Sequence, residues 1–194
     1  MIREGYDAFD DPYCYKGTAT LRNRLGLRDQ AQLEQFELEM ATLRATEPLP
    51  DGRLDPAHYR RIHRHLFQDV YAWAGKYRHV RTSKGGNPFC FPEHIEVEME
   101  RLFQALHHGR CLAPLSAEAF LAGAAEFLGE LNAIHPFREG NGRAQLSLMH
   151  LIGLEAGHPF DFGRIRPETF MPAMIASYDR NLEPLISELA GLLA

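Results

Sequence analysis

The chain has 194 residues, of which 45% are hydrophobic and 24% are charged, a balance typical of a globular domain and unlike that of a disordered chain. Lysine and arginine number 21 against 26 aspartates and glutamates, so the formal net charge is −5. A net acidic chain is a poor candidate for general nucleic-acid binding.

Neither a membrane helix nor a signal peptide is expected. No apolar run approaches the ~20 residues that a membrane helix needs, and the first residues are acidic and lack an apolar core. Cys14, Cys90 and Cys111 form no Cys-x-x-Cys pair, which favours free thiols in a reducing cytoplasm. No repeat or long linker divides the chain, so we expect residues 1–194 to form a single domain.

The first third of the chain predicts two helices. Thr18 is a candidate N-cap for a short helix that breaks near Arg28. Asp29 is a candidate cap for a second helix over residues 29–46, in which apolar side chains recur at broadly helical spacing.

A third helix and a β-hairpin follow. Asp55 and Pro56 fit the N-cap and first turn of a helix that runs to about Ala74, where Gly75 would close it. Apolar and aromatic residues then flank the turn sequence Lys-Gly-Gly-Asn at 84–87, which is the one hairpin signal in the chain.

The second half is helical in pattern. Ser116 is a candidate cap, and His135 with Pro136 would end the helix that it begins, because a residue before proline avoids the helical region. The expected helices cover residues 93–107, 116–134, 142–156, 167–178 and 181–193. We therefore predict an all-α domain with one small β-hairpin, and the very apolar helix 142–156 in the helical core.

One loop between two apolar helices, residues 135–143, reads His-Pro-Phe-Arg-Glu-Gly-Asn-Gly-Arg. The first N–H groups of a helix have no internal partner and lie at the positive end of its dipole, and glycines allow a ligand to approach the backbone. This helix start is therefore expected to hold a phosphate. The candidate binding residues are Gly140, Asn141, Gly142 and Arg143.

Three further residues of the loop have expected roles. Glu139 is a lone carboxylate beside the phosphate site, which suits Mg²⁺ because this ion takes one or two carboxylates together with phosphate oxygens. His135 has the pKa range of a general base for a hydroxyl that attacks phosphorus. Phe137 has no chemical role and is expected to anchor the loop in the core.

The loop resembles the motif of the Fic family, H-x-F-x-D/E-G-N-G-R-x-x-R, at every specified position except the last, where Leu146 stands. Residues 13–18, 66–75 and 83–86 also resemble segments of small bacterial Fic toxins, so the resemblance covers nearly the whole chain. It implies the helical Fic fold and transfer of AMP from ATP to a Tyr, Ser or Thr hydroxyl of a target protein.

The resemblance also implies roles for individual residues. His135 would deprotonate the hydroxyl, Glu139 would hold Mg²⁺, and the residues from Gly140 to Arg143 would cradle the phosphates. The hairpin, residues 79–92, would be a flap that holds the target by main-chain pairing. Its expected target-binding residues are Thr82, Ser83, Lys84, Gly85 and Gly86.

Regulation and alternatives complete the interpretation. Family members carry an inhibitory pattern of Ser or Thr, three residues, Glu, then Gly or Asn, and no Ser or Thr of this sequence is followed by Glu four positions on. The resemblance therefore implies a toxin with a separate small antitoxin, and ATPase subunits of type II topoisomerases as candidate targets. A Doc-type phosphotransferase with another phosphate donor and a catalytically silent binding module are the alternatives.

Overall fold

The computed structural model describes residues 11–84, 87–113 and 115–194. This part of the chain forms seven α-helices and one antiparallel hairpin, in which Ser83 lies opposite Pro88. The prediction of an all-α domain with one hairpin is confirmed. The elements are α1 (Gln30–Ala45), α2 (Pro56–Phe67), β1 (Ser83–Lys84), β2 (Asn87–Pro88), α3 (Ile95–His108), α4 (Ala117–Ile134), α5 (Asn141–Ala156), α6 (Pro167–Tyr178) and α7 (Glu183–Gly191).

Helices α4 and α5 form the centre of the bundle. α4 packs against α3, α5, α6 and α7, and α5 also packs against α2. The apolar residues that recur along α4 are buried, among them Phe120, Ala124, Leu128 and Leu131. Burial of such side chains is the main stabilising contribution to a helical bundle of this size. The loop between α4 and α5 is therefore attached at both ends to helices of the packed core.

Side-chain caps begin three of the helices, as the sequence predicts. Each cap oxygen accepts a hydrogen bond from a free N–H group of the first turn, which removes an unsatisfied donor. The pairs are Asp29 with the N–H of Gln32, Asp55 with that of His58, and Ser116 with that of Ala119.

The prediction of a short helix from Thr18 to about Arg28 is wrong. Residues 13–15 instead pair with residues 20–22 through backbone hydrogen bonds, and Cys14 and Leu21 form an isolated β-bridge. The Thr18 hydroxyl donates to the carbonyl of Tyr15 and so closes this turn instead of capping a helix. Such a local side-chain bond competes with helix formation.

Helix α2 ends earlier than predicted, at Phe67 and not near Ala74. The Val70 carbonyl accepts from the N–H of Arg24 across the structure, so a tertiary bond takes the acceptor that a longer helix would use. Gly75 then has φ +78° and ends the turn-rich segment.

Two sequence expectations concern membranes and thiols. Within the described residues, no helix combines the length and the apolar character that crossing a membrane requires. The three cysteines are free thiols, and Cys14 and Cys111 are buried.

Candidate active site

The loop from His135 to Arg143 joins the end of α4 to the start of α5 and is closed from within. The Asn141 side chain accepts from the Phe137 N–H at 2.9 Å and donates to the Phe137 carbonyl at 2.8 Å. It is buried, so both ends of its amide are committed to the loop. What Asn141 can offer a ligand is its backbone N–H.

Phe137 and His63 fix the underside of the loop. Phe137 is fully buried, and the His63 ring stacks on it with centroids 3.8 Å apart. His63 Nδ1 accepts from the Gly75 N–H, so its Nε2 carries the proton and donates to the Glu139 carbonyl at 2.9 Å. Burial, with a smaller contribution from the charge of Arg143, lowers the pKa of His63 to about 3. His63 is therefore a neutral support for the loop backbone.

His135 sits in a left-handed conformation, with φ 48° and ψ 60°, as the C-cap of α4. Such a conformation costs a residue other than glycine about 1–2 kcal/mol and needs support from its surroundings. Its partly accessible imidazole stacks on Phe89. Desolvation first, and then the positive charges of Arg78 and Lys84, lower the pKa of His135 to about 3, against an opposing interaction with the Asn132 backbone. The ring is therefore neutral at pH 7, which is the state that can accept a proton.

Arg78 ties the end of α4 to the hairpin. Its buried guanidinium donates to the carbonyls of His135 at 2.8 Å, Ile134 at 3.2 Å, Val80 at 2.7 Å and Cys90 at 2.6 Å. Several backbone acceptors thus compensate for the burial of its charge. The position of His135 is consequently linked to both sides of the hairpin.

The two glycines at the start of α5 serve different needs. Gly140 has φ +81°, and a Cβ there would lie 2.4 Å from the Phe67 ring, so both backbone and packing require glycine. Gly142 is exposed, and a Cβ there would meet no protein atom within 4 Å. The first turn of α5 therefore has open space beside Gly142, and the N–H groups of a first turn are donors of the kind that bind anions.

Arg143 lies in this first turn and is held from two sides. One of its terminal nitrogens donates to Glu37 of α1, a buried carboxylate that also accepts from the Tyr71 hydroxyl. The Phe67 ring lies beneath the guanidinium, 4.6 Å from its central carbon. Among the described residues, Glu37 is the one hydrogen-bond acceptor of this guanidinium. Its remaining N–H groups can therefore bind a ligand.

Glu139 is half-buried, and its Oε1 accepts from the Gly140 N–H at 3.1 Å. In the described parts of the chain, no three His, Cys, Asp or Glu side chains gather into a complete metal cage. A single carboxylate beside an open anion site is the donor set that suits Mg²⁺ bound mainly through phosphate oxygens. The residues present therefore fit the expected ion.

The hairpin places its predicted residues in unlike environments. Thr82 is buried, and its carbonyl accepts from the Phe89 N–H at 3.0 Å, whereas Lys84 is exposed. Ser83 pairs with β2 in a sheet of two strands, so each strand keeps an outer edge that no other described strand covers. Gly85 and Gly86, also predicted to bind the target, lie outside the described residues.

Sequence reasoning missed five residues that support the site: Glu37, His63, Phe67, Arg78 and Phe89. Two of them left a signal, because His63 and Phe67 stand four residues apart on α2 and so share the face that packs under the loop. Arg78 and Glu37 left none, since each is buried by contacts with residues far away in sequence.

Comparisons with known sequences identify relatives of this chain. Residues 53–153 match the profile of the Fic/DOC family. The probable protein adenylyltransferase y4lH of Sinorhizobium fredii is 51% identical over 194 residues, which is 100% of each chain. The protein adenylyltransferase VbhT of Bartonella schoenbuchensis is 38% identical over 91% of this chain and 37% of that protein.

Solved structures show the same fold. The BepC protein of Bartonella tribocorum with bound AMPPNP superposes with a TM-score of 0.84 at 30% identity, over 94% of this chain and 96% of that one. The N-terminal Fic domain of a putative cell filamentation protein of Bartonella quintana, with bound ADP, gives a TM-score of 0.85 at 33% identity, over 94% of each chain.

Proposed function

The chain belongs to the Fic/DOC family, and from this premise we propose that it is a protein adenylyltransferase that moves AMP from ATP to a Tyr, Ser or Thr hydroxyl of a target protein. The nucleotides bound in the two similar structures and the names of the curated relatives support this proposal. We also propose that residues 1–194 act as a single Fic domain.

One observation carries the proposal: a neutral histidine stands at one end of a closed loop, and the first turn of a helix, our proposed phosphate site, stands at the other. His135 ends α4, and the open first turn of α5 begins at Asn141, whose side chain closes the loop between them. A histidine acts as a general base in its neutral form, and phosphoryl chemistry needs donors held in place for the phosphate oxygens. Both requirements are met by the chain's own packing.

In the proposed reaction, His135 accepts the proton of the target hydroxyl. Nδ1 of its ring is fully buried, which leaves Nε2 as the base. The hydroxyl oxygen forms a bond to the α-phosphorus, the bond from that phosphorus to the oxygen bridging to the β-phosphorus breaks, and pyrophosphate leaves with those electrons. The N–H groups of the first turn of α5 and the guanidinium of Arg143 hold phosphate oxygens, and the closed loop keeps both ends in register.

Mg²⁺ is proposed as the cofactor, held by Glu139. When bound, the ion would neutralise charge on the phosphates, as it does in other phosphoryl-transfer enzymes. The chain itself orients this carboxylate by two hydrogen bonds. The Gly140 N–H donates to the Glu139 side chain, and His63 donates to the Glu139 carbonyl.

The target segment is proposed to pair with an outer edge of the hairpin, at Thr82, Ser83 and Lys84 and at Gly85 and Gly86. Strand addition of this kind uses main-chain hydrogen bonds and presents a side chain at a fixed place. The Cys90 N–H donates to the Ala133 carbonyl and the Cys90 carbonyl accepts from the Arg78 guanidinium, and these two bonds fix the hairpin beside the end of α4.

The biological setting is proposed from family resemblance alone. In this proposal the protein is a cytoplasmic toxin, a small antitoxin supplies the inhibitory glutamate, and the ATPase subunits of type II topoisomerases are targets. A pull-down from the native host with the full chain as bait tests the antitoxin: recovery of a small protein with the inhibitory pattern supports it, and absence of such a protein under native expression contradicts it.

The test of the activity uses two labels. The full chain is incubated with Mg²⁺, bacterial lysate and ATP labelled either at the α- or at the γ-phosphate. Protein labelled from the α-position alone, with an added AMP mass, is the result that we expect. Label from the γ-position would indicate a phosphotransferase, and no label from either would indicate a silent binding module.

His135→Ala is the matched control for this experiment. Loss of a general base reduces rates by about 10²–10⁴-fold, so we expect labelling to vanish while the circular dichroism spectrum stays helical. Labelling at the wild-type rate in this variant would show that His135 is not the base.

A further inference from the structure

Phe89 lies against the imidazole of His135 in a nearly parallel stack. The ring centroids are 3.8 Å apart, and the planes differ by 9°. Phe89 is almost fully buried, so its ring removes water from one whole face of the imidazole. Phe89 also makes a T-shaped contact with the Tyr178 ring of α6, with the ring centroids 6.4 Å apart.

The backbone around Phe89 is fixed on three sides. Its own N–H donates to the Thr82 carbonyl across the hairpin. The next residue, Cys90, donates from its N–H to the Ala133 carbonyl near the end of α4. The hydroxyl of Tyr178 donates to the carbonyl of Pro88, the residue before Phe89. Hydrogen bonds around Phe89 therefore connect this residue to the hairpin, to α4 and to α6.

We propose that Phe89 is a positioning residue for His135: its ring sets the plane of the imidazole and covers one face of it. This inference rests on the proposed function, in which His135 is the base. It gives the return strand of the hairpin a part in catalysis, in addition to the part of the hairpin in target binding.

The backbone of His135 alone does not fix the imidazole plane. The left-handed backbone and the Arg78 bond to the His135 carbonyl fix the position of Cα. Rotation about the bond that joins the ring to Cβ is broad for histidine, so the ring plane needs a neighbour to define it. Phe89 is the one aromatic ring stacked on His135 among the described residues.

Covering the imidazole also controls its charge. The charged groups near His135 are Arg78, from the segment after α2, and Lys84 of β1, and α6 contributes Tyr178, which contacts Phe89. Both cations disfavour a second positive charge on the ring, and desolvation acts in the same direction. Removal of the Phe89 ring leaves the cations in place and admits water, so it isolates the desolvation effect.

The test compares Phe89→Leu with Phe127→Leu. Phe127 is a buried aromatic residue of α4 that makes a T-shaped contact with Phe103 and no ring contact with His135. Both changes remove a buried ring, and each costs stability by cavity formation. Two quantities are measured in each full-length variant: the titration of the His135 imidazole by NMR without nucleotide, and the pH dependence of the transfer rate.

We expect wild type and Phe127→Leu to show no His135 titration above pH ~4.5, and Phe89→Leu to titrate about one unit or more higher. We also expect Phe89→Leu alone to lose about tenfold in the maximal transfer rate and to move the acidic limb of the rate profile upward. An unchanged His135 titration and rate profile in Phe89→Leu would overturn the proposal.

The NMR arm does not depend on transfer activity. If the wild-type chain transfers no AMP, the proposed function fails, and the titration still decides whether Phe89 controls the state of His135. If transfer occurs and Phe89→Leu titrates and reacts like wild type, the positioning role fails while the proposed function stands.

Discussion

Glu37 is a buried acid on α1 that lies about a hundred positions before Arg143 and yet binds its guanidinium. Tyr71 donates to the same carboxylate, and burial first, then the charge of Glu37, raise the pKa of that tyrosine. A guanidinium held by a carboxylate and an aromatic face has few orientations left. At the scale of single residues, the proposed phosphate site thus depends on residues outside the motif.

We predict that Glu37→Gln lowers kcat for AMP transfer about tenfold, because Arg143 loses its charged anchor and with it part of its alignment. KM for ATP should not rise, since the change also removes a negative charge near the phosphates. Glu39→Gln is the matched control, because Glu39 is exposed on the same helix and pairs with Gln35. A higher kcat in Glu37→Gln would instead show that Glu37 restrains the enzyme.

Leu146 stands where the family motif has a second arginine, three residues after Arg143 on α5. It is half-buried and packs against the core. Residues three apart share a helix face, so Leu146→Arg should lower KM for ATP by about fivefold, equivalent to ~1 kcal/mol. Leu154→Arg adds the same charge at an exposed site near the end of α5. Equal KM values for ATP in both variants and wild type would show that the side chain at position 146 does not affect nucleotide binding.

At the scale of elements, the junction between α2 and α5 sets the shape of the anion site. Gly140→Ala forces a Cβ against the Phe67 ring at φ +81°, whereas Gly157→Ala has φ +77° and open space. Strain alone should cost Gly157→Ala about 1–2 kcal/mol, and the clash should add about 1–3 kcal/mol at Gly140. Urea unfolding measures both. Equal losses in the free energy of unfolding would mean that the contact between a Cβ at position 140 and the Phe67 ring costs no stability.

Prediction from sequence succeeds where the determining physics is local. The caps at Asp29, Asp55 and Ser116 depend on residues within one turn, and the sequence identifies each of them. The end of α2 does not depend on local residues alone, because the Val70 carbonyl accepts a tertiary hydrogen bond from the Arg24 N–H. The sequence therefore does not identify it.

The site follows the same division. The loop motif is contiguous and could be found directly, as could the burial of Phe137. Arg78 could not be found, because its four carbonyl acceptors come together only in the folded chain. The commitment of the Asn141 amide to the loop also appears only with the structure.

At the scale of the whole molecule, two neutral histidines make stability depend on pH. The pKa values of His63 and His135 are lowered to about 3, while an unfolded chain has histidine pKa values near 6.5. Below pH 6.5 the unfolded state therefore binds more protons than the folded state. As the pH is lowered from 6.5, the free energy of unfolding should fall by up to about 1.4 kcal/mol per pH unit for each histidine.

Urea unfolding between pH 5.5 and 7.5 measures this slope above the range in which most carboxylates titrate. His63→Gln removes one titrating group, so its curve should be flatter below pH 6.5 than that of wild type, whatever its stability at neutral pH. Parallel curves for the two proteins would show that His63 is not held neutral by the fold.

The central claim is that the first turn of α5 holds the phosphates of ATP while His135 faces the incoming hydroxyl. A crystal structure of the His135→Ala variant with ATP and Mg²⁺ tests it most directly, since the variant should retain the nucleotide unreacted. We predict phosphate oxygens within hydrogen-bond distance of the Gly142 and Arg143 N–H groups, with the α-phosphate beside position 135. Phosphates bound elsewhere, or a first turn that stays empty at saturating ATP, would contradict the account.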